Sequence, residues 1–400
     1  MKILYINGFA PRTDTAMGGI FVTKRIQALK KKGVQILPYI YAPAYSGSVQ
    51  FLLQKMRGFE APKSLLEKQL DIEYYVHEVK FGLKEMVLSH FIPDIWTEKM
   101  YQALKKDLKT ETDIDLIHLH WFWPLGCGVR KYAGKYGMPY VITCHGSDIN
   151  INMAQPQLQK SIIRILEDAA AVEFVSQALL DTAKSYGYSG KNAKVVYNGI
   201  DAEIFGKEIL NVSSAKEACP LIGYIGNLIE IKGADRLPAI YKEIYERRNR
   251  QVRFVVIGDG ILRKSLEEQM KGLPVTFTGR IAQEAVADLS KKMDLLVIPS
   301  RNEGYSCVAK EAQACGTIPI GVNTGGIPEA IGNFGKLISI RTDASLEQAA
   351  HCFADAVDAM LDHLETFDRV SMIQQAQKNT WDNQQEQSCN IYKEILRKKK

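Results

Sequence analysis

The chain has 400 residues, 46% of them hydrophobic and 24% charged, with a formal net charge of +6. That length suits two domains or three, and the ordinary globular composition excludes a disordered tail, a collagen-like fibre and a bare coiled coil. The charge is uneven: residues 1–200 carry 25 Lys and Arg against 18 Asp and Glu, and residues 201–400 carry 26 against 27, so the first half is the one suited to face something anionic.

Residues 2–6 (KILYI) form a short apolar run before Asn7-Gly8, the pattern of a buried parallel strand. A Gly-containing loop leads to a helix predicted from Phe21 to Lys32, closed by Gly33, with Lys30, Lys31 and Lys32 in its last turn. Strands are predicted at Val34–Tyr41, Asp115–His120, Pro139–Thr143 and Ala171–Val175, with helices between them. Residues 46–100 depart from this rhythm. VQFLLQKMRGF and SLLEKQL place apolar residues at helical spacing, with Lys55, Arg57, Lys63 and Lys68 between them. They suit either a basic amphipathic surface or an insertion packed on the sheet, whose charges Glu60, Glu67, Asp71 and Glu73 dilute the basicity.

The alternation restarts after Pro220, with strands predicted at Leu221–Ile225, Arg253–Ile257, Val275–Thr278, Leu295–Pro299 and Ile318–Val322. The expected fold class is therefore α/β, with two doubly wound, Rossmann-like units. Residues 1–205 form the first (with the insertion at about 46–100) and 215–373 the second. A polar helical segment, 374–400, is expected to pack back on the first. The polar stretch 201–219 reads as the linker; its Asn211-Val212-Ser213 triplet has the form of a glycosylation acceptor. Seven scattered cysteines without a Cys-x-x-Cys pair argue against a disulfide framework or structural zinc, and for a reducing compartment. The N-terminal apolar run is too short for a signal-peptide core, and no stretch reaches the length of a membrane span.

Ligands of doubly wound sheets bind beyond the carboxyl ends of the strands, and four such loops carry unusual residues. Gly18-Gly19 precedes the first helix, where free backbone N–H groups favour a phosphate; a plain turn reads equally well. Thr143-Cys144-His145-Gly146-Ser147-Asp148 delivers a His and an Asp to a strand end. His145 can donate to an anionic or carbonyl oxygen and Asp148 can orient a hydroxyl; the bland alternative is a turn capped by the Asp. Gly226-Asn227-Leu228-Ile229-Glu230-Ile231-Lys232-Gly233 brings Lys232 to a helix start, suited to a phosphate charge or simply solvated. The most specific loop runs from Ser300 through Glu303 into a helix carrying Glu311. Free N–H groups from Gly304 to Cys307 suit a phosphate, and nearby carboxylates suit sugar or ribose hydroxyls. Two decoys remain. Asp113-Ile114-Asp115 has a metal-binding form but precedes its strand. His118 and His120 share a strand face without a third ligand nearby.

These motifs together resemble the retaining glycosyltransferases of the GT-B fold, family 4 type (glycosyl transferases group 1). The resemblance covers nearly the whole chain and rests on ordered matches. They are the Gly-Gly loop, IHLHW (117–121), ITCHGSD (142–148), FVSQ (174–177), YNGID (197–201), GNLIEIKG (226–233), VIGDG (256–260), EGYSCVAKEAQACG (303–316) and TGGIPE (324–329). It implies two domains facing a central cleft, a nucleotide-sugar donor held mainly on the second, and no metal or other cofactor. Glu311 would hold the ribose hydroxyls, and Glu303 would lie near the donor sugar. The N–H groups of Gly304, Tyr305, Ser306 and Cys307 would take the distal phosphate and sugar, and Lys232 would neutralise the diphosphate. Gly18 and Gly19 would close on the donor, and Arg280 and Ile281 would hold the base. His145 would sit at the reacting centre, with Asp148 beside the acceptor. One departure stands out: Asn227 occupies the position where the family usually has an Arg paired with the diphosphate. A neutral donor there is roughly half as strong as a charged one, so either another cation, such as Arg301 or Arg280, compensates or the donor binds more weakly.

The resemblance implies transfer from a nucleotide-diphosphate sugar, UDP favoured, to a glycan or lipid-linked acceptor. The setting would be bacterial envelope or exopolysaccharide synthesis, in a cytoplasmic protein able to sit on an anionic membrane surface through its basic half. The alternatives are a non-catalytic nucleotide-sugar-binding paralogue, motivated by Asn227, and a GT-B nucleotide-sugar epimerase. Nucleic acid is not an expected partner, because the basic residues lack interleaved aromatics.

Overall fold

The computed structural model describes the chain apart from residues 9–10, 13–17, 46, 48, 50–64, 83–84, 86–87, 89–91, 110, 112, 207–218, 342 and 399–400. Met17, Lys55, Arg57, Lys63, Glu60 and the Asn211-Val212-Ser213 triplet therefore lie outside the described residues. The chain divides into two compact units, Met1–Tyr197 with Gln384–Lys400, and Asn198–Asn383.

The first unit holds a seven-stranded parallel sheet. Its order is Tyr75–Phe81, Gln35–Tyr45, Lys2–Asn7, Leu116–His120, Tyr140–Cys144, Ala171–Phe174 and Ala193–Val195. Leu116–His120 and Tyr140–Cys144 are buried at every position, as strands covered on both faces must be. Ile3, Tyr5, Val22, Ile26, Leu29, Leu116 and Val141 form one core, joined by Cys389, Ile391 and Tyr392 of the last helix, Trp381–Lys398. The polar tail from 374 is two helices, Arg369–Gln377 and Trp381–Lys398.

The reading of 46–100 is corrected where the residues are described. SLLEKQL is not helical: Leu65 bridges Arg12, and Lys68–Gln69 pairs antiparallel with Ile72–Glu73. Tyr75–Phe81 then joins the main sheet parallel to Gln35–Tyr45. The described stretch breaks at a turn in which Leu70 takes φ 55°, a conformation a right-handed helix cannot carry. The β-branched and aromatic residues that follow suit an edge strand.

The second unit holds a six-stranded parallel sheet in the order Val275–Gly279, Arg253–Ile257, Leu221–Ile225, Leu295–Ile298, Ile318–Val322 and Lys336–Ile338. Its core includes Ile222, Leu237, Ile240, Phe254, Leu295, Ile320 and Phe353, with Tyr241 stacked on Phe254 at 4.2 Å. In each sheet the strand order reverses once, between Lys2–Asn7 and Leu116–His120, and between Leu221–Ile225 and Leu295–Ile298. A crevice opens at such a reversal. No helix among the described residues is long and apolar enough to cross a membrane.

Candidate active site

In the second unit the loops after Leu221–Ile225 and Leu295–Ile298 flank the reversal and are stitched together. The Arg301 amide donates to the Ile231 carbonyl at 2.9 Å, and the Arg236 guanidinium donates to the Pro299 carbonyl at 3.0 Å. Gly233 turns between them at φ 67°, where a Cβ would stand 2.0 Å from the Pro299 oxygen. A side chain there would push the loops apart, so the glycine is needed both for its conformation and for its size.

This stitching brings Lys232 and Glu303 together. The ammonium lies 2.8 Å from Glu303 Oε2; Lys232 is about one-third exposed (32%) and Glu303 8%. Ser300 Oγ donates to the other oxygen, Oε1, at 2.9 Å, so the carboxylate is held from both sides. The helix Cys307–Ala314 follows. Its N-cap, Ser306, makes no side-chain cap bond, and its buried Oγ has no hydrogen-bond partner. Burial, with Glu311 and Glu303 nearby, pushes the Cys307 thiol well up, so it stays neutral. Glu311 is the fifth residue of this helix, about one turn inside its start at Cys307. Tyr305 is buried, its hydroxyl accepting from Asn379 at 3.3 Å. The Gly-rich turn after Ile318–Val322 backs the loop: the Gly326 amide donates to the Glu303 carbonyl at 2.9 Å.

Asn227 is exposed, and its carbonyl accepts from the Tyr224 hydroxyl at 2.9 Å. The expectation that Arg301 stands in for the absent arginine is corrected. Its guanidinium is bidentate to Asp235, at 2.7 Å on each oxygen, and also donates to the Glu230 carbonyl at 2.6 Å. A charge so engaged is a loop brace. Arg280 and Ile281 follow the strand Val275–Gly279, the outermost strand of the same sheet; Arg280 is exposed and Ile281 half-buried.

In the first unit the strands Leu116–His120 and Tyr140–Cys144 deliver His120, Trp121 and His145. His145 stacks on Trp121 with centroids 4.3 Å apart at 17°, and its Nε2 lies 2.8 Å from His120 Nδ1. Burial, with the Arg25 charge second, holds the His145 pKa well below the usual histidine value. Asp148 is fully buried, and its carboxylate accepts from the amides of His145, Gly146 and Ile149, at 2.8 to 3.2 Å. Burial pushes this carboxyl up to about 6, against the pull of those amides. Its geometry is the capping one: it shapes the turn that carries His145.

Gly18 and Gly19 precede the helix Ile20–Lys31, with Gly19 at φ 70°. Gln69, which no motif singles out, holds this turn by donating to the Gly18 carbonyl at 2.9 Å. Its own Oε1 accepts from Thr23, whose Oγ1 lies 2.7 Å from the Tyr74 hydroxyl. His118 is buried between Thr143 and Tyr392. The Asp115 carboxylate accepts the Lys2 amide at 2.8 Å, at the start of its strand. Among the described residues no three His, Cys, Asp or Glu side chains are grouped to hold a metal.

The sheet reversals, the loop motifs and the helix start agree with comparisons to known proteins. Residues 21–204 match the Glycosyltransferase Family 4 domain and residues 219–363 the glycosyl transferases group 1 domain. The chain is 28% identical over 351 residues to a Bacillus subtilis glycosyltransferase, TuaC, whose name refers to teichuronic acid biosynthesis, covering 84% of this chain and 85% of that protein. It is 25% identical to the N-acetyl-alpha-D-glucosaminyl L-malate synthase of Bacillus anthracis, covering 74% and 84%. Among solved structures, sucrose-phosphate synthase from Thermosynechococcus elongatus superposes with a TM-score of 0.68 at 18% identity over 100% of both chains. Anabaena HepE in complex with UDP superposes with 0.62 at 18%, over 100% and 98%. With two parallel-sheet α/β domains of the GT-B type, the chain belongs to the group 1, family 4 glycosyltransferases.

Proposed function

We propose that the chain is a retaining, metal-independent hexosyltransferase that moves a sugar from a nucleoside-diphosphate sugar to a hydroxyl of a glycan or lipid-linked acceptor. The observation that carries this reading is the Lys232–Glu303 pair beside the uncapped start of the helix Cys307–Ala314. As the glycosidic bond breaks, its electron pair leaves with the diphosphate. Lys232 and the free N–H groups of the helix start are suited to that growing charge without a metal. Glu303 suits a sugar hydroxyl, Glu311 the ribose, and Arg280 and Ile281 the base. Retention follows from the family resemblance. A front-face course needs no protein nucleophile: the acceptor oxygen bonds to the anomeric carbon, and its proton passes to the departing phosphate.

A UDP-linked donor is supported by the HepE structures, which contain UDP and UDP-glucose. Envelope or exopolysaccharide synthesis is supported by the naming of TuaC. The basic balance of residues 1–200 suits an anionic or membrane-borne acceptor. That part is tested by flotation with vesicles containing anionic lipid: binding that weakens with salt is expected, and salt-independent binding or none rejects it.

The central test is turnover of a panel of UDP-, GDP- and ADP-sugars, with and without EDTA. Turnover that survives EDTA and is lost in Glu311→Ala is expected. EDTA-sensitive turnover would overturn metal independence. A second reading, a nucleotide-sugar-binding protein without transfer, draws on the neutral, exposed Asn227; saturable binding of a donor without any turnover would select it.

A further inference from the structure

The loop that leaves the strand Lys2–Asn7 and ends at Gly18-Gly19 is tied down by a distant part of the chain. Lys2–Asn7 is one of the two strands between which the order of the first sheet reverses, so this loop borders the crevice of the first unit. The stretch 65–69 meets the described residues of the loop near each of its ends. Leu65 forms an antiparallel bridge with Arg12, and the Leu66 amide donates to the Pro11 carbonyl at 2.9 Å. Gln69 Nε2 donates to the Gly18 carbonyl, also at 2.9 Å. Gln27, on the helix Ile20–Lys31, donates to Asp71. The antiparallel pair Lys68–Gln69 and Ile72–Glu73 is thereby bound both to the loop and to the helix that follows it.

The orientation of the Gln69 amide follows by elimination. A carbonyl only accepts, so the NH2 side of Gln69 faces Gly18 and its Oε1 faces Thr23. Oε1 also only accepts, so the single hydroxyl proton of Thr23 goes to it. Thr23 Oγ1 therefore accepts from the Tyr74 hydroxyl at 2.7 Å. Burial raises the Tyr74 pKa to about 12, so that hydroxyl keeps its proton. Gln69, Thr23 and Tyr74 are 5%, 0% and 5% exposed. Turning the amide over would set its oxygen against the Gly18 oxygen with no water to relieve the clash of acceptors. A trans peptide is planar, so a fixed Gly18 oxygen also fixes the Gly19 N–H on its opposite side. Gly19, at φ 70°, then leads into the helix Ile20–Lys31.

We propose that Gln69 is a positioning residue for sugar transfer: its amide N–H fixes the Gly18 carbonyl and, through the planar peptide, the course of the Gly18-Gly19 turn. This rests on the transferase reading given above, which sets that turn against the donor. Gln69 lies 51 residues from Gly18 and acts only through it. A displacement of about 1 Å in such a support can cost roughly 100-fold in rate without touching a reacting group. A glutamine that merely satisfied a buried carbonyl would leave the rate where it is.

The test reads the turn and the rate separately. Gly18-Gly19 and Gly325-Gly326 are the two Gly-Gly pairs of the chain. Protein labelled with glycine carrying a 13C carbonyl and 15N therefore gives two directly bonded carbonyl–amide signals, and Gly18→Ala identifies the first by its loss. Gln69→Met keeps the length of the side chain and removes both of these bonds. It should move the Gly18–Gly19 signal and leave the Gly325–Gly326 signal in place. It should also lower kcat/KM on the nucleotide sugar turned over best by about tenfold to 100-fold. Gln69→Glu can donate to Gly18 as the neutral acid and not as the carboxylate. Its kcat/KM relative to wild type should therefore fall as pH rises from about 5.5 to about 8.5, where a buried carboxyl ionises, while the Gln69→Met ratio stays flat. A thermal melt shows that each variant is folded at the assay temperature; if Gln69→Met is not, the Gln69→Glu ratio decides alone. Wild-type kcat/KM or an unmoved Gly18–Gly19 signal in Gln69→Met would overturn the inference, as would a Gln69→Glu ratio that ignores pH. Failure of the transferase reading looks different: the Gly18–Gly19 signal moves in Gln69→Met as expected, while the wild type turns over no nucleotide sugar.

Discussion

Lys232 and Glu303, distant in sequence and carried by different loops, form an ion pair at 2.8 Å whose carboxylate is held on its other side by Ser300. The pair sits where the strand order of the second sheet reverses. It is partly exposed, so it adds little to stability, and its value lies in where it holds two opposite charges.

Replacing either partner should therefore separate function from folding. Lys232→Ala and Glu303→Ala are each expected to lose about 100-fold or more in kcat/KM, with a thermal midpoint within about 2 °C of wild type. The double variant should lose less than the two losses combined, since groups acting as a unit are not additive. Steady-state kinetics and a thermal melt decide it; wild-type rates in both single variants would remove the pair from the site.

Asp148 calls for the opposite pattern. Its carboxylate satisfies amides of three residues around the His145 turn. Asp148→Ala leaves those buried donors unmet, at about 1–3 kcal/mol for the set that water cannot reach. The expected outcome is a lowered thermal midpoint together with lowered kcat. Full activity at a lowered midpoint would separate the turn from the chemistry.

The fold was legible because parallel strands buried on both faces read as apolar runs. Leu221–Ile225, Arg253–Ile257 and Ile318–Val322 lie where their runs predict them. Tyr75–Phe81 was not legible, because an edge strand mixes exposed and buried positions and carries no continuous run. The site was legible as a set of loops, since glycines and charges at strand ends mark backbone that must approach a ligand or another loop. Pairings within it were not. Nothing in the composition of SLLEKQL says that Gln69 would hold the Gly18 carbonyl. Nor does any spacing reveal that Arg301 is engaged by Asp235 or that His145 leans on His120, because those contacts depend on sheet order.

The pair beneath the histidines makes a stability prediction. Arg25 and Glu173 are both fully buried, and removing one leaves the other charge without compensation. Glu173→Gln should destabilise the first unit by about 3–5 kcal/mol, whereas Arg25→Met with Glu173→Leu should recover much of that. Denaturant melts of the single and double variants measure it. A double variant as unstable as the single would show that the stranded charge does not carry the cost.

Lys310 supplies the pH dependence. It lies on the helix Cys307–Ala314, 9% exposed, with its ammonium 3.0 Å from Gln313 Oε1 and no carboxylate paired with it among the described residues. Burial lowers its pKa to about 8, from an ordinary value of 10.5. The sign follows from proton counting: between those two values the unfolded chain binds the extra proton, so the folded state gains stability as pH rises through that window. Below pH 8 the buried charge is a standing cost. Lys310→Met keeps the length of the side chain and removes the charge, though it leaves Gln313 Oε1 short of a donor. The variant should be more stable than wild type at pH 7, by about 1–2 kcal/mol or roughly 2–6 °C in thermal midpoint. The advantage should shrink steadily toward pH 10, as the wild-type lysine loses its proton. Thermal melts of both proteins across pH 7 to 10 test it, and an advantage independent of pH would show that packing, not charge burial, separates them.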